Sequence, residues 1–229
     1  RVIDKVYPSQ SLKYNYISNK VLNKKIKYTK DCSMDLDRPP LFSLINLKRK
    51  AHFRNSKQVM NMKNCSHLLI WRGKLLFHFN NGKPIPYLIN QRTKFIKNLS
   101  KYIFLGEFEN KNVVLWDMSD SREVSGNIEL IGSFSDTERN YHPDLPNGTY
   151  FCDLRNLLPL LNARYANLCA TAKGMYEWHK RVNFCQSCGG KLSFEKAGWE
   201  KSCEKCRLKQ FPRIDPVVIM LIKKGNDIL

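Results

Sequence analysis

Apolar and polar positions alternate in three rhythms along this chain. Between residues 65 and 120 the apolar residues come in short blocks parted by polar turns. His67-Leu68-Leu69-Ile70-Trp71 and Lys74-Leu75-Leu76-Phe77-His78-Phe79 flank Arg72-Gly73, which predicts a hairpin, and Asn80-Asn81-Gly82 marks the next turn. Tyr102-Ile103-Phe104-Leu105-Gly106 and Asn112-Val113-Val114-Leu115-Trp116-Asp117 repeat the pattern around a polar Glu-Asn-Lys-Asn tip. After Pro159 the period changes. Tyr165, Cys169, Ala172, Tyr176 and His179 recur at helical spacing, with Leu168 and Met175 widening the stripe. That helix should end near Lys180-Arg181, where positive charge suits the negative end of the helix dipole. Finally, Val217-Val218-Ile219-Met220-Leu221-Ile222 is an unbroken apolar run, as in a strand buried on both faces. Lys223 to Asp227 read as a hairpin turn, and Ile228-Leu229 as the start of the next strand.

The front of the chain is less regular. Residues 1–35 carry no convincing period and read as a flexible basic lead-in. Met34 to Pro40 form a turn, and Leu41 to Arg54 predict a helix with Leu41, Leu44, Ile45 and Leu47 on one face. The fold class that follows is α+β. Residues 36–150 form a strand-rich domain, 151–182 connecting helices, 183–212 a small cysteine-bearing module, and 213–229 the first strands of a further domain.

That module carries the chain's most specific chemistry. Cys185, Cys188, Cys203 and Cys206 form two C-x-x-C pairs, a spacing that brings four thiolates to the corners of a tetrahedron, as Zn²⁺ prefers. Gly189 and Gly190 give the first knuckle freedom to turn. The second has Arg207 instead, and its turn is expected to be tighter or less regular. Leu192, Phe194 and Trp199 flank the polar tip Glu195-Lys196-Ala197-Gly198, which predicts a hairpin between the knuckles, and the whole reads as a zinc ribbon. Four protein ligands leave no open position, so the ion is read as structural. Two redox C-x-x-C motifs are the competing reading, but one redox motif would not bring a second pair at ribbon spacing. Cys169 and His179 share the helical stripe but lie ~15 Å apart along the axis, so core packing accounts for them better than a nucleophile–base pair.

Charge changes the picture only in part. The formal net charge is +19. Residues 1–101 hold 22 Lys and Arg against four acidic residues, whereas 102–229 hold 17 against 16. A basic half invites a nucleic-acid or polyphosphate partner. Yet lysine outnumbers arginine 26 to 13 and asparagine reaches 21, so the excess also reads as a Lys/Asn-rich solvated surface. No apolar run approaches the ~20 residues of a membrane span. Cys32, Cys65, Cys152 and Cys169 are scattered and read as reduced thiols of an intracellular compartment. The cytoplasm, the mitochondrion and the peroxisome all stay open, because residues 1–30 resemble a transit peptide only loosely and no peroxisomal address ends the chain.

Set together, Trp178-His179, Phe184-Cys185-x-x-Cys188-Gly189, Trp199, Cys203-x-x-Cys206 and Phe211-Pro212-Arg213-Ile214-Asp215-Pro216-Val217-Val218-Ile219 resemble the NADH pyrophosphatase family of Nudix hydrolases. Leu36-Asp37-Arg38, the Leu69-to-Phe77 hairpin and Ile103 to Gly106 resemble that family's amino-terminal domain more weakly. The resemblance implies a Nudix-like amino-terminal domain over 36–150, a zinc ribbon over 183–212 and the start of an incomplete Nudix catalytic domain over 213–229. It implies hydrolysis of NADH or NAD⁺ to nicotinamide mononucleotide and AMP with Mg²⁺ or Mn²⁺, possible removal of NAD caps from RNA, and a homodimer. The family's catalytic element is the Nudix box, whose glutamates at i, i+3 and i+4 converge on one helix face to hold divalent cations against a pyrophosphate. Residues 1–229 contain no Glu-Glu dipeptide and no such box, so no catalytic residue is assigned and the sequence is expected to be incomplete. Two substrate contacts carry over by resemblance. Arg155 lies within one residue of a substrate-contacting arginine, and Phe211 replaces a tyrosine, keeping a stacking face but not the hydroxyl. Gly198 stands where some bacterial members have an acidic residue. Two other readings remain: a non-catalytic zinc-ribbon protein that binds nucleic acid through its basic half, and a short regulatory form.

Overall fold

Strand β1 (Cys65–Trp71) is buried at every position, and the architecture follows from what must cover it on both faces. In this computed structural model the described residues are 47–54, 59, 62, 64–90, 93–213, 215, 223–224 and 227–228. All belong to one compact unit, residues 40–229. β1 turns back into β2 (Lys74–Asn80), pairing Ile70 with Leu75 and Trp71 with Lys74. Arg72 and Gly73 both hold positive φ, the mirror-image turn that matches the twist of two strands. β3 (Lys83–Pro86) follows after Asn81-Gly82. β4 (Lys101–Phe108) and β5 (Lys111–Asp117) form the second expected hairpin.

Local patterns do not show how the hairpins join. β1 and β5 pair in parallel from Cys65 opposite Asn112 to Ile70 opposite Asp117. The resulting sheet has the order β3-β2-β1-β5-β4, with β6 (Thr149–Cys152) also on β2. Alternating side chains then feed two cores. Leu68, Ile70, Leu75, Phe77 and Leu115 face one; Leu69, Trp71, Leu76, Val114 and Trp116 face the other. A sheet covered on both faces needs apolar residues at successive positions, hence the unbroken blocks. A short helix α1 (Lys94–Lys97) precedes β4, and its Ile96 enters the second core. α2 (Leu154–Leu157) is capped by Asp153. The long helix α3 (Ala163–Arg181) begins where the Asn162 side chain accepts the Arg164 N–H, and it lays Leu168, Cys169, Ala172, Met175 and Tyr176 on the first core. This is the predicted stripe. Cys65, Cys152 and Cys169 are all buried.

One expectation fails. Of the helix predicted over 41–54, the described part is a bridge and a single 3₁₀ turn, Ala51–Phe53. Lys48 instead exchanges backbone bonds with Glu107, 2.9 and 2.7 Å, while Lys48 and Lys50 both pair with the Glu107 carboxylate. The physical reason is that β4 lies at the sheet edge, where unpaired backbone groups attract a partner strand, and pairing there still buries Leu47 in the first core. Lys74 was also unforeseen. It is 1% exposed, and its ammonium meets Asp136 at 2.7 Å, Asn140 at 2.8 Å and the Glu138 carbonyl at 3.0 Å, one acceptor for each proton.

The cysteine-bearing module is the expected hairpin, β7 (Leu192–Glu195) and β8 (Glu200–Cys203), with β9 (Lys209–Gln210) added beside β8. Its tip docks on β4. Ala197 and Trp199 are buried, and the Trp199 indole N–H donates to the Phe104 carbonyl at 2.5 Å. Gly198 holds φ +96°, and a Cβ there would stand 2.9 Å from the Ile103 side chain. No acidic residue fits that position in this chain. α3 reaches the same tip through His179, whose Nε2 meets the Gly198 carbonyl at 2.8 Å. Farther on, β10 (Lys223–Lys224) and β11 (Asp227–Ile228) form an antiparallel pair, so Lys223, Lys224 and Asp227 are strand rather than turn. The lead-in over 1–35 and the apolar run 217–222 lie outside the described residues.

Two consequences can be measured. Gly198→Ala should cost about 2–4 kcal/mol, from a disfavoured left-handed backbone plus overpacking against Ile103, read from urea denaturation. Burial presses the His179 imidazole down to about 4, against an opposing pull from the Gly198 carbonyl. The unfolded chain takes up this proton near pH 6.5 and the folded one only near 4, so stability falls as pH drops through that window. The loss should approach about 3 kcal/mol. His179→Gln should flatten this slope relative to wild type at equal metal content.

Candidate metal centre and aromatic groove

The two knuckles are built alike. In the first, the Cys185 N–H donates to the Gly190 carbonyl at 2.8 Å and the Gly189 N–H to the Cys185 carbonyl at 2.9 Å. In the second, the Cys203 N–H donates to Leu208 at 3.0 Å and the Arg207 N–H to Cys203 at 3.0 Å. Gly189 has φ +68° and Arg207 +63°. The expected irregularity at Arg207 is therefore absent: the arginine accepts the left-handed conformation, at a cost of roughly 1–2 kcal/mol, and the knuckle keeps its shape. Gly190 stays side-chain-free for another reason, since a Cβ there would lie 2.9–3.4 Å from Lys205, Cys203 and Cys188.

The four thiols converge. Cys185 and Cys206 sulfurs stand 3.6 Å apart, Cys188 and Cys203 sulfurs 3.4 Å, and all four lie within 4.8 Å of one another. A tetrahedral ion with ~2.3 Å bonds to sulfur needs sulfurs about 3.8 Å apart, so these residues could hold one metal ion with little movement. Backbone N–H groups prepare the charge. Those of Cys206 and Lys205 pull the Cys203 thiol down to about 6, and those of Cys188 and Ser187 lower Cys185. At Cys206 the Leu208 N–H favours the thiolate, but the three neighbouring sulfurs outweigh it and push that thiol up to about 12. Four thiolates this close need a cation.

The two expected substrate contacts fall in different places. Phe211 lines a groove of about 590 Å³ with Trp178, Trp199, Arg49, Arg54 and Arg213 and, among the described residues, no acidic one. The Arg54 guanidinium lies 3.8 Å from the Trp199 ring centre, and its Nε is buried without a hydrogen-bond partner among the described residues. Burial, then the neighbouring Arg49, lowers its proton affinity. Arg155 is not among the lining residues. Its guanidinium is clamped by Asp153 at 3.0 and 3.2 Å and donates to the Ser133 carbonyl at 2.7 Å. The sequence reading missed Arg49 and Arg54, which a run of basic residues does not distinguish from solvated charge. A second group, Glu123, His142 and Asp144, also brings its ligand atoms together, but both His142 ring nitrogens are already engaged, by the Asp144 N–H and the Glu123 carboxylate.

Residues 66–178 match the family described as NUDIX-like, the NADH pyrophosphatase-like rudimentary NUDIX domain. Over this segment the chain belongs to the NADH pyrophosphatase family of Nudix hydrolases. Among curated proteins, it is similar to Nudix hydrolase 19, chloroplastic, of Arabidopsis thaliana, 46% identical over 63 residues, which is 26% of this chain and 14% of that protein. It is 31% identical over 101 residues to human NAD(P)H pyrophosphatase NUDT13, mitochondrial, covering 43% of this chain and 29% of the relative. NAD-capped RNA hydrolase NudC of Mycobacterium tuberculosis is 32% identical over 85 residues, 37% of this chain and 26% of its own length. The matched stretches thus span less than a third of the length of each of these relatives. Among the described residues, no helix is long and apolar enough to cross a membrane.

The cysteine geometry predicts uptake of one metal ion per chain, visible in elemental analysis of the purified protein. Cys203→Ser should abolish stoichiometric binding, and chelation should lower the melting temperature of the wild type but not of the variant.

Proposed function

We propose that the protein hydrolyses the pyrophosphate of NADH or NAD⁺ to nicotinamide mononucleotide and AMP, with NAD-capped RNA as a second substrate. In this reading Zn²⁺ occupies Cys185, Cys188, Cys203 and Cys206 as a structural ion. Mg²⁺ or Mn²⁺ supplies the charge neutralisation that pyrophosphate cleavage needs, held by a Nudix box outside residues 1–229, and the working unit is a homodimer.

The observation that carries the proposal is the position of Phe211. The matched family segment ends at Trp178 within α3, the ribbon follows, and just past the ribbon this ring stands in a groove with two tryptophans and three arginines. A dinucleotide offers that groove what it lacks: a planar base to stack on an aromatic face and a pyrophosphate to meet guanidinium groups. Arg155 is retained as a second substrate contact, with Asp153 orienting its guanidinium. The same acid-free groove favours one alternative, a non-catalytic module that binds an RNA strand, whose affinity would fall steeply with salt.

The full-length protein, loaded with Zn²⁺ and assayed with Mg²⁺, should convert NADH to nicotinamide mononucleotide and AMP. Phe211→Ala should lower kcat/KM about tenfold, the worth of one lost base stack. Full-length, metal-loaded protein that leaves NADH, NAD⁺ and NAD-capped RNA intact overturns the proposal, and salt-dependent RNA binding in that same protein would establish the alternative.

A further inference from the structure

On the other side of the ribbon tip from Trp199 lies a cavity of about 640 Å³ that the reading above does not use. It opens between the start of β4, the end of β5, the last turn of α3 and strand β7 of the ribbon, and its size is that of a small-molecule site. One wall is aromatic. Phe194, 43% exposed, lies 5.8 Å from Tyr102 edge-on and 5.4 Å from the His179 ring. An exposed phenyl ring between two other rings, facing a cavity, offers a face for a planar heterocycle.

The opposite lining is polar and oriented. The Ser119 hydroxyl donates to Asp117 Oδ1 at 2.5 Å, and the Ser119 N–H reaches the same oxygen at 2.9 Å. With the serine proton spent there, the Tyr176 hydroxyl, 3.1 Å away, must donate to Ser119 Oγ. This relay leaves two acceptors, Asp117 Oδ2 and the Tyr176 oxygen, with no donor among the described residues. Two neighbouring acceptors call for two neighbouring donors, the arrangement of a vicinal diol. His179 adds a third polar feature. Its Nε2 carries the proton toward Gly198, so Nδ1 is an acceptor suited to an exocyclic amine.

Charge completes the picture. Lys101 and Lys180 line the cavity. Lys101 already pairs with Asp120 at 2.7 Å, whereas exposed Lys180 makes no salt bridge among the described residues. An anion would ordinarily be repelled by the carbonyl end of α3. Here the Lys201 ammonium caps the carbonyls of His179 and Val182, so the last turn is already neutralised.

We infer that this cavity is a binding site for a 5′-mononucleotide, its base stacked on Phe194, its ribose diol donating to Asp117 and Tyr176, and its phosphate paired with Lys180. The site is separate from the Phe211 groove and stands whether or not the protein cleaves NADH. A nucleoside without phosphate, or inorganic phosphate alone, satisfies only part of it.

The test is calorimetric titration of the zinc-loaded full-length protein with AMP, with adenosine and inorganic phosphate as separate probes. Phe194→Ala and Lys180→Glu should each weaken AMP binding at least tenfold, and adenosine should bind at least tenfold more weakly than AMP. Phe211→Ala should leave AMP binding at this site unchanged. Both test side chains are exposed, and unchanged zinc content and melting temperature confirm that the variants fold. Absence of AMP binding, or AMP affinity unchanged by Phe194→Ala and Lys180→Glu, overturns the inference. Loss of AMP binding in Phe211→Ala alone also overturns it, since the ligand would then lie in the groove. Because the readout is binding, a protein that takes up AMP in this way yet leaves NADH intact refutes only the proposed hydrolysis.

Discussion

The docking of the ribbon tip on the outer edge of β4 is the contact on which the rest depends. β4 ends the sheet, so its outward carbonyls need partners. Lys48 satisfies part of that edge through Glu107, and the Trp199 indole satisfies Phe104. Removing the indole would leave a buried carbonyl unpaired, worth about 1–3 kcal/mol before the lost apolar contact is counted. Because Trp199 belongs to the same buried cluster as Leu68, Phe77 and Leu168, the ribbon, the sheet and α3 share one core. A module too small to bury a core of its own takes part in a larger one.

That sharing explains why the metal centre is so regular. Ribbon residues at the tip are held by packing, and those at the knuckles by four backbone bonds that repeat between the two C-x-x-C turns. The repeat tolerates Arg207 in a glycine-like conformation because the ladder, rather than the residue's own preference, sets the turn. Other N–H groups of the same turns, those of Cys206 and Lys205 and of Cys188 and Ser187, lower the first thiols to ionise, Cys203 and Cys185. The protein therefore presents part of the negative charge in advance, and a bound cation would supply the rest of the drive to deprotonate.

The tip also divides two concavities. Trp199 and Trp178 open onto the arginine-lined groove with Phe211, while Phe194, His179 and Lys201 open onto the cavity against β4 and β5. Both use the C-terminal end of α3 as a wall. A ligand in either would press on the same hairpin, whose position is fixed by Gly198 against Ile103. Among the described residues the groove is lined by guanidinium groups and no carboxylate, although Arg213 also pairs with Asp215 at 3.3 Å; such a lining suits a pyrophosphate or an RNA strand. The other cavity offers a carboxylate relay and lysines, as a diol and a single phosphate would require.

Local sequence determined what depends on local physics. The Arg72-Gly73 turn, the stripe on α3 and the two C-x-x-C knuckles were legible because turn geometry, helical period and ligand spacing each involve residues near one another in the chain. Phe211 was singled out by resemblance alone, without the arginine-lined groove that surrounds it. What only the tertiary structure decided is long-range pairing. The parallel register of β1 on β5, which merges two hairpins into one sheet, leaves no trace in either strand's pattern. The Leu41–Arg54 pattern predicted a helix, but within the described part an open sheet edge supplied better hydrogen-bond partners than a helix could. Lys74 could not be read as buried, because its three acceptors lie 62 to 66 residues away. Gly198 looked like a missing acidic residue until Ile103 was found where a side chain would have to go. In each case free energy came from groups far apart in sequence, which a window of neighbours does not contain.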